Sequence, residues 1–165
     1  MKKKIIIISV VSVVVLTLII TGAIFALKGA FSNSSGNAVI SIGNVTSAIG
    51  DKVKVPVKIS GNPGFMAIQL EIEYDTSVLK YKNYSKGDVL NDIDVAANGN
   101  KVKFLGIENN DINDNGVLVY LEFDILEKAS GSSEIKFVEG EGTMLANFNE
   151  EIIKTSYNNG SVKVK

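Results

Sequence analysis

Hydrophobic and polar residues alternate along most of the chain after residue 50. Between residues 52 and 59, valine or isoleucine occupies every second position, with lysines and one proline between them. This period of two is typical of a strand with one face in the core. Pro56 has no N–H to donate, so we expect this strand to lie at the edge of a sheet or to carry a β-bulge.

Two longer segments alternate in the same way. The first predicts that Ala67, Gln69, Glu71 and Glu73 face outward and that the core receives Met66, Ile68, Leu70, Ile72 and Tyr74. The second predicts an inward row of Val117, Val119, Leu121, Phe123 and Ile125. Shorter candidate strands cover residues 39–45, 79–84, 101–107, 134–138 and 161–164. Eight or nine strands with almost no helical periodicity predict an all-β fold, either a sandwich or a jelly roll.

The N-terminal segment has a different pattern. Three lysines at positions 2–4 precede 23 uncharged residues, Ile5 to Leu27. As a helix this run spans about 34 Å, enough to cross a hydrocarbon core of about 30 Å. We expect residues 1–28 to form an uncleaved signal anchor, a single transmembrane helix that leaves the rest of the chain on the extracellular surface. A cleaved signal peptide is the alternative, but its apolar region is usually only about 7–15 residues long.

The remaining chain divides into a linker and one body. Residues 29–37 are small and polar, as in a flexible tether, and residues 38–165 are long enough for one domain. After residue 28 the sequence has 13 lysines and 18 acidic residues, and it has no arginine. This acidic balance argues against nucleic acid as a partner. Without Cys, His or Trp the chain has no thiol nucleophile, imidazole base or Cys/His zinc site, and no cofactor is expected.

One motif suggests calcium. Asp111, Asn113, Asn115 and Glu122 fit the spacing of an EF-hand loop. Such a loop needs a helix on each side, whereas both flanking segments here alternate as strands. We interpret the motif as a polar strand connection, with a weaker surface calcium site as the alternative.

Several ordered motifs resemble those of the cohesin family. They are Val39-Ile-Ser-Ile-Gly-Asn-Val45, Gly50-Asp-Lys-Val-Lys-Val-Pro-Val-Lys-Ile-Ser-Gly61, Tyr74-Asp75, Val78-Leu79, Gly87-Asp88, Gly116-Val117-Leu118 and Asn159-Gly160-Ser-Val-Lys-Val164. The resemblance implies a nine-stranded jelly roll that binds dockerins, the small calcium-loaded modules of polysaccharide-degrading enzymes. With the predicted anchor, it implies a non-catalytic surface receptor that holds such enzymes at the membrane, as in cellulosome assembly.

The resemblance also implies a dockerin-binding surface. It matches contact positions to Ala67 and Gln69, where the family often has Asn and Asp, and alternation turns Glu71 to the same side. A second contact strand matches Leu105, Ile107 and Glu108. Period-two alternation from Lys103 independently turns Leu105 and Ile107 outward. Glu150 and Ile152 match a third contact region.

Other classes of function remain as alternatives. A carbohydrate-binding module would need an aromatic platform, and this chain has no Trp and only five scattered Tyr. An adhesive surface domain is a further alternative. Catalysis is the least favoured, because Glu71 and Glu73 are best interpreted as solvated neighbours on a flat strand.

Overall fold

The structure is a computed structural model that describes residues 37–127, 129–140 and 142–165. These residues form twelve strands and no helix. The strands are β1 (Asn37–Ile42), β2 (Asn44–Ser47), β3 (Lys52–Ser60), β4 (Phe65–Tyr74), β5 (Leu79–Lys86), β6 (Asp94–Asn98), β7 (Lys101–Ile112), β8 (Gly116–Ile125), β9 (Ser132–Phe137), β10 (Met144–Ala146), β11 (Lys154–Asn158) and β12 (Gly160–Val164).

The strands form two sheets that enclose one core. One sheet has five strands in the order β11-β1-β3-β8-β5. The other has seven, in the order β2-β12-β9-β4-β7-β6, with β10 also paired to β4. Apolar side chains from both sheets form one cluster whose largest fully buried members include Phe65, Phe104 and Phe123. The all-β sandwich predicted from the alternation is therefore confirmed.

Pro56 lies in the interior of a sheet, because β3 runs between β1 and β8. Of the two expectations for this strand, the edge position is wrong and the bulge is present, between Val57 and Lys58 in the pairing with β8. The Pro56 carbonyl accepts the N–H of Gly43, so the proline nitrogen faces the same side. The chain leaves the sheet there, since β1 ends at Ile42 and β2 belongs to the other sheet. The sheet therefore loses no hydrogen bond through the lack of an N–H at Pro56.

Two of the predicted inward positions are wrong because each adjoins a bulge. Phe65 is fully buried and Met66 is only half-buried, where the β4–β7 register shifts between Phe65 and Ala67. Likewise Leu118 is fully buried while Val117 is half-buried and pairs with the outward Lys58. A bulge adds a residue to one strand and so reverses the alternation beyond it.

The strand count exceeds the nine that the resemblance implied. The segment 39–45 divides at Gly43 into β1 and β2, and the short strands β6, β10 and β11 have no sequence prediction. Within the described residues no helix is long and apolar enough to span a bilayer. The predicted transmembrane helix at residues 5–27 lies outside the described residues.

Candidate partner-binding face

The register of the seven-stranded sheet assembles most of the predicted contact residues on one surface. Directly paired residues project to the same side of a sheet. Gln69 pairs with Leu105 on β7 and with Met144 on β10, and Leu105 pairs with Asp94 on β6. The next row joins Ala67 to Ile107 and to Ala146, which also bridges to Ile152. We call these two rows the candidate face; its members are Ala67, Gln69, Asp94, Leu105, Ile107, Met144, Ala146 and Ile152.

The candidate face is largely apolar although it lies outside the core. Ile107 is 43% exposed and is one of three large exposed hydrophobic residues in the described chain. Leu105, Met144 and Ile152 are half-buried on the same rows. Exposed aliphatic side chains that cluster on a flat sheet indicate an interaction surface. Alternation correctly predicted that Leu105 and Ile107 face outward.

Met144, Ala146 and Asp94 were missed by the sequence analysis. β10 has only three residues, too few for a period of two to show. Its position depends on Thr143, whose hydroxyl accepts the N–H of Glu71 and donates to the Val138 carbonyl. These two bonds attach the start of β10 to β4 and to the residue that follows β9, and so fix Met144 beside Gln69.

Glu71 lies just beyond the two rows and is nearly buried, at 6% exposure. Its two carboxylate oxygens accept from the Lys101 amine at 2.6 Å and the Lys103 amine at 2.7 Å. These hydrogen bonds, that from Lys101 first, hold the pKa of Glu71 below its ordinary value, against the opposing effect of burial. The interpretation of Glu71 as a solvated carboxylate is wrong, because the ion pairs cover it and cancel its charge.

Glu108 follows Ile107 on β7 but has a different environment. It is 9% exposed, and its carboxylate accepts the backbone N–H of Asn91 at 2.6 Å and the Asn91 side-chain amide at 2.7 Å. The loop before β6 is therefore held by Glu108. This geometry leaves Glu108 off the candidate face, as a residue that supports it.

Glu150 and Ile152 belong to the turn between β10 and β11. Ile152 is half-buried beside Ala146, whereas Glu150 is exposed with a positive φ of 64°. Phe148, which the sequence analysis did not single out, is 59% exposed in the same turn. Its backbone N–H donates to the Asp111 carboxylate at 2.7 Å. Phe148 is thus an exposed aromatic side chain on a turn that this bond attaches to the end of β7.

The four residues of the calcium pattern are directed to different partners. Asp111 bonds to the turn containing Phe148, and Asn115 accepts the N–H of Asn62 at 3.1 Å. Asn113 lies against Gly64, where an added Cβ would be 2.5 Å from its side-chain oxygen. Glu122 forms an ion pair with Lys54 on the outside of the five-stranded sheet. The described residues contain no group of three or more acidic side chains arranged for a metal ion.

Four of the described aromatic side chains are buried and do not form a platform for sugar rings. Phe65, Phe104 and Phe123 are fully buried, and Tyr74 is 7% exposed with its ring packed edge-on against Phe123. An open depression of about 300 Å³ beside Tyr74 is lined mainly by polar residues of β4 and β9. These four side chains therefore offer no surface on which a sugar ring could stack.

Comparison with known proteins gives one consistent family. A family model described as the Cohesin domain matches residues 38–164. The fold is similar to a cohesin from Clostridium acetobutylicum solved in solution, with a TM-score of 0.70, 27% identity, and coverage of 81% of this chain and 96% of that chain. It is also similar to a cohesin solved in a complex with a dockerin, with a TM-score of 0.71, 27% identity, and coverage of 78% and 99%.

A third similar structure comes from a type I cohesin–dockerin complex of Clostridium thermocellum. Its TM-score is 0.71 at 23% identity, with coverage of 78% of this chain and 99% of that chain. A comparison with curated protein sequences returned no match.

Proposed function

This chain belongs to the cohesin family, and from that premise we propose that it is a non-catalytic receptor that binds a dockerin through the candidate face. Two paired rows of largely apolar side chains on the outer side of the sheet, most of them half-buried and Ile107 exposed, carry the proposal. Similar cohesins have been solved in complexes with dockerins. The enzymes that carry such dockerins are the partners that this receptor would hold.

The chemistry of the face indicates how the partner is recognised. Ala67 and Gln69 are neutral at positions where the family often has polar or acidic residues, and the adjacent Glu71 is neutralised by two lysines. Asp94 at the rim is the one exposed carboxylate among the eight face residues. Binding that rests on apolar contact depends weakly on salt. We therefore expect a partner with an apolar surface, bound with little sensitivity to ionic strength.

Titration calorimetry of residues 29–165 against a panel of dockerins, with calcium present, tests this proposal. Interfaces concentrate binding energy in a few central residues, so Leu105→Ala or Ile107→Ala should weaken binding by about 1–3 kcal/mol. Phe148→Ala should weaken it in the same direction if the turn is part of the interface. Each variant is melted alongside the parent to show that the fold is intact.

Two control variants separate the face from the surface in general. Ile49→Ala removes an aliphatic side chain of similar exposure, 49%, from the turn between β2 and β3. Lys58→Ala removes an exposed charge from the five-stranded sheet. Both should bind like the parent. The proposed face is wrong if no dockerin binds, or if Ile49→Ala costs as much as Ile107→Ala.

The second part of the proposal is attachment to the cell membrane, with the cohesin body outside. It rests on the lysine triplet and the uncharged run from Ile5 to Leu27. Protease added to intact cells should remove the body and leave a membrane-bound stub. Release of the protein into the medium, with a new N-terminus near residue 27, would contradict the anchor.

A further inference from the structure

The outer side of the five-stranded sheet carries a charge opposite to that of the body as a whole. Its outward positions hold two acids, Glu122 and Asp124, and six lysines, namely Lys52, Lys54, Lys58, Lys80, Lys82 and Lys154. The other acids among the described residues lie elsewhere. We call this surface the basic face. It lies on the other side of the sandwich from the candidate partner-binding face.

Only two of these six lysines form ion pairs with acids on the neighbouring strand. Lys54 forms an ion pair with Glu122 at 2.9 Å, and Lys82 with Asp124 at 3.4 Å. Lys52, Lys58, Lys80 and Lys154 are exposed and form no ion pair among the described residues. Lys52 and Lys80 each lie opposite Asp124 in the strand pairing, but six lysines and two acids leave an excess of four positive charges on this surface. Like charges on one flat surface repel one another, and an anionic surface laid against the sheet would neutralise the excess.

The first described strand of the chain belongs to the sheet that carries the basic face. Asn37, the first described residue, begins β1 and pairs with Lys154 on β11. Only the nine residues of the linker, 29–37, separate it from the predicted anchor. Nine residues can span at most about 32 Å. A bilayer holding the anchor would therefore stay within reach of the domain at a high effective concentration.

We propose that the basic face rests on the anionic lipid headgroups of the membrane to which the chain is attached. Basic residues close to an anionic bilayer are attracted within about one Debye length of its surface. With this face on the bilayer, the candidate partner-binding face on the opposite sheet points away from the membrane, where a dockerin can reach it. The inference rests on the membrane attachment proposed above, and it adds an orientation to it.

The orientation can be measured without depending on the natural anchor. Residues 37–127, 129–140 and 142–165 contain a core of their own, so residues 29–165 can be attached to vesicles through an N-terminal His-tag and a nickel-chelating lipid. The chain has no cysteine, so a single dye can be placed at Asn83→Cys or at Ala96→Cys. Asn83 is exposed on β5, the strand of the basic face farthest from the tether, and Ala96 is exposed on β6 of the other sheet. Energy transfer to a headgroup acceptor then reports which face is nearer the lipid.

With phosphatidylglycerol in the vesicle we expect stronger energy transfer from the dye at position 83 than from the dye at position 96. The difference should disappear in neutral phosphatidylcholine and in high salt. It should also disappear in the triple variant Lys52→Gln, Lys58→Gln and Lys80→Gln. The matched control Lys136→Gln, Lys163→Gln and Lys165→Gln makes the same change in net charge away from the basic face and should keep the difference.

Equal energy transfer from the two positions, or an ordering independent of lipid charge, would overturn the inference. If the first triple variant lowers affinity for soluble polyphosphate but leaves the orientation on vesicles unchanged, the basic face binds a phosphate polymer and the membrane assignment is wrong. Because the His-tag replaces the natural anchor, these results are independent of the protease test of attachment.

Discussion

The Asp111 carboxylate accepts the backbone N–H of Phe148 at 2.7 Å. This bond joins the end of β7 to the turn between β10 and β11, so the first residue of the calcium-like motif has a structural role. Glu122, the last residue of the motif, lies on the other sheet. A sequence that fits the EF-hand spacing therefore directs its oxygens to two different sheets.

The first prediction concerns calcium. We expect residues 29–165 to melt at the same temperature with calcium and with chelator, because Asp111 and Glu122 lie on separate sheets and already bond to protein groups. Asp111→Ala should lower the free energy of unfolding by about 1 kcal/mol equally in both conditions. A chelator-induced drop in melting temperature that Asp111→Ala abolishes would establish a calcium site in this loop.

The second prediction concerns Gly87, whose Gly-Asp pair contributed to the family resemblance. A Cβ added at Gly87 would lie 1.9 Å from the carbonyl oxygen of Val117, and the Asp88 carboxylate accepts the Val117 N–H at 2.7 Å. Only glycine allows the chain after β5 to approach the start of β8 so closely. Gly87→Ala should destabilise the domain by about 3 kcal/mol, measured by urea unfolding.

A matched glycine control distinguishes this close contact from backbone strain. Gly131 has a positive φ of 79° and open space around it, so Gly131→Ala should cost only about 1 kcal/mol. The interpretation of Gly87 is wrong if the two variants are equally stable.

The third prediction concerns Glu150, the one described non-glycine residue with a positive φ. An L-side chain is disfavoured at its φ of 64°, whereas glycine adopts that conformation freely. Glu150→Gly should therefore stabilise the domain by about 0.5–1 kcal/mol in chemical denaturation. Asn149→Gly in the same turn, where φ is not positive, should not stabilise it. The same result for both variants would show that strain at Glu150 is not the cause.

The sequence predicted the sandwich because the two sheets share one core. A strand with one face in a core and the other in water must alternate with a period of two, and β3, β4 and β8 do so over most of their length. The prediction failed where a bulge changes the register, at Met66 and Val117. A bulge is set by pairing between distant strands, which no local window contains.

The candidate face was predicted in part for the same reason. Leu105 and Ile107 lie on a long regular strand, so alternation was enough to turn them outward. Met144 and Ala146 join the face only through pairing of a three-residue strand with β4, about 75 residues earlier in the chain. Glu108 was predicted to be a contact residue, but its carboxylate accepts two hydrogen bonds from Asn91. The sequence alone does not identify Asn91 as its partner.

The last prediction concerns pH and uses the paired carboxylate beside the candidate face. Hydrogen bonds from Lys101 and Lys103 lower the pKa of Glu71 in the folded protein from its ordinary value of 4.5. On acidification the unfolded chain therefore binds a proton at this position before the folded chain does. The resulting stabilisation is present above about pH 4.5 and is lost as the pH falls through the lower, folded pKa.

Glu71→Gln removes the titrating carboxylate, so the variant should lose this pH-dependent stabilisation. At pH 7 the free energy of unfolding of the variant should be lower than that of the parent by about 1 kcal/mol, since two lysines lose their partner. This difference in free energy should become smaller below pH 4.5. Urea unfolding at a series of pH values measures both effects. Glu73→Gln is the control, because Glu73 faces outward on the same strand and forms no ion pair among the described residues. A constant difference between Glu71→Gln and the parent at every pH would show that the amide disturbs packing and that the Glu71 ion pairs do not contribute to acid sensitivity.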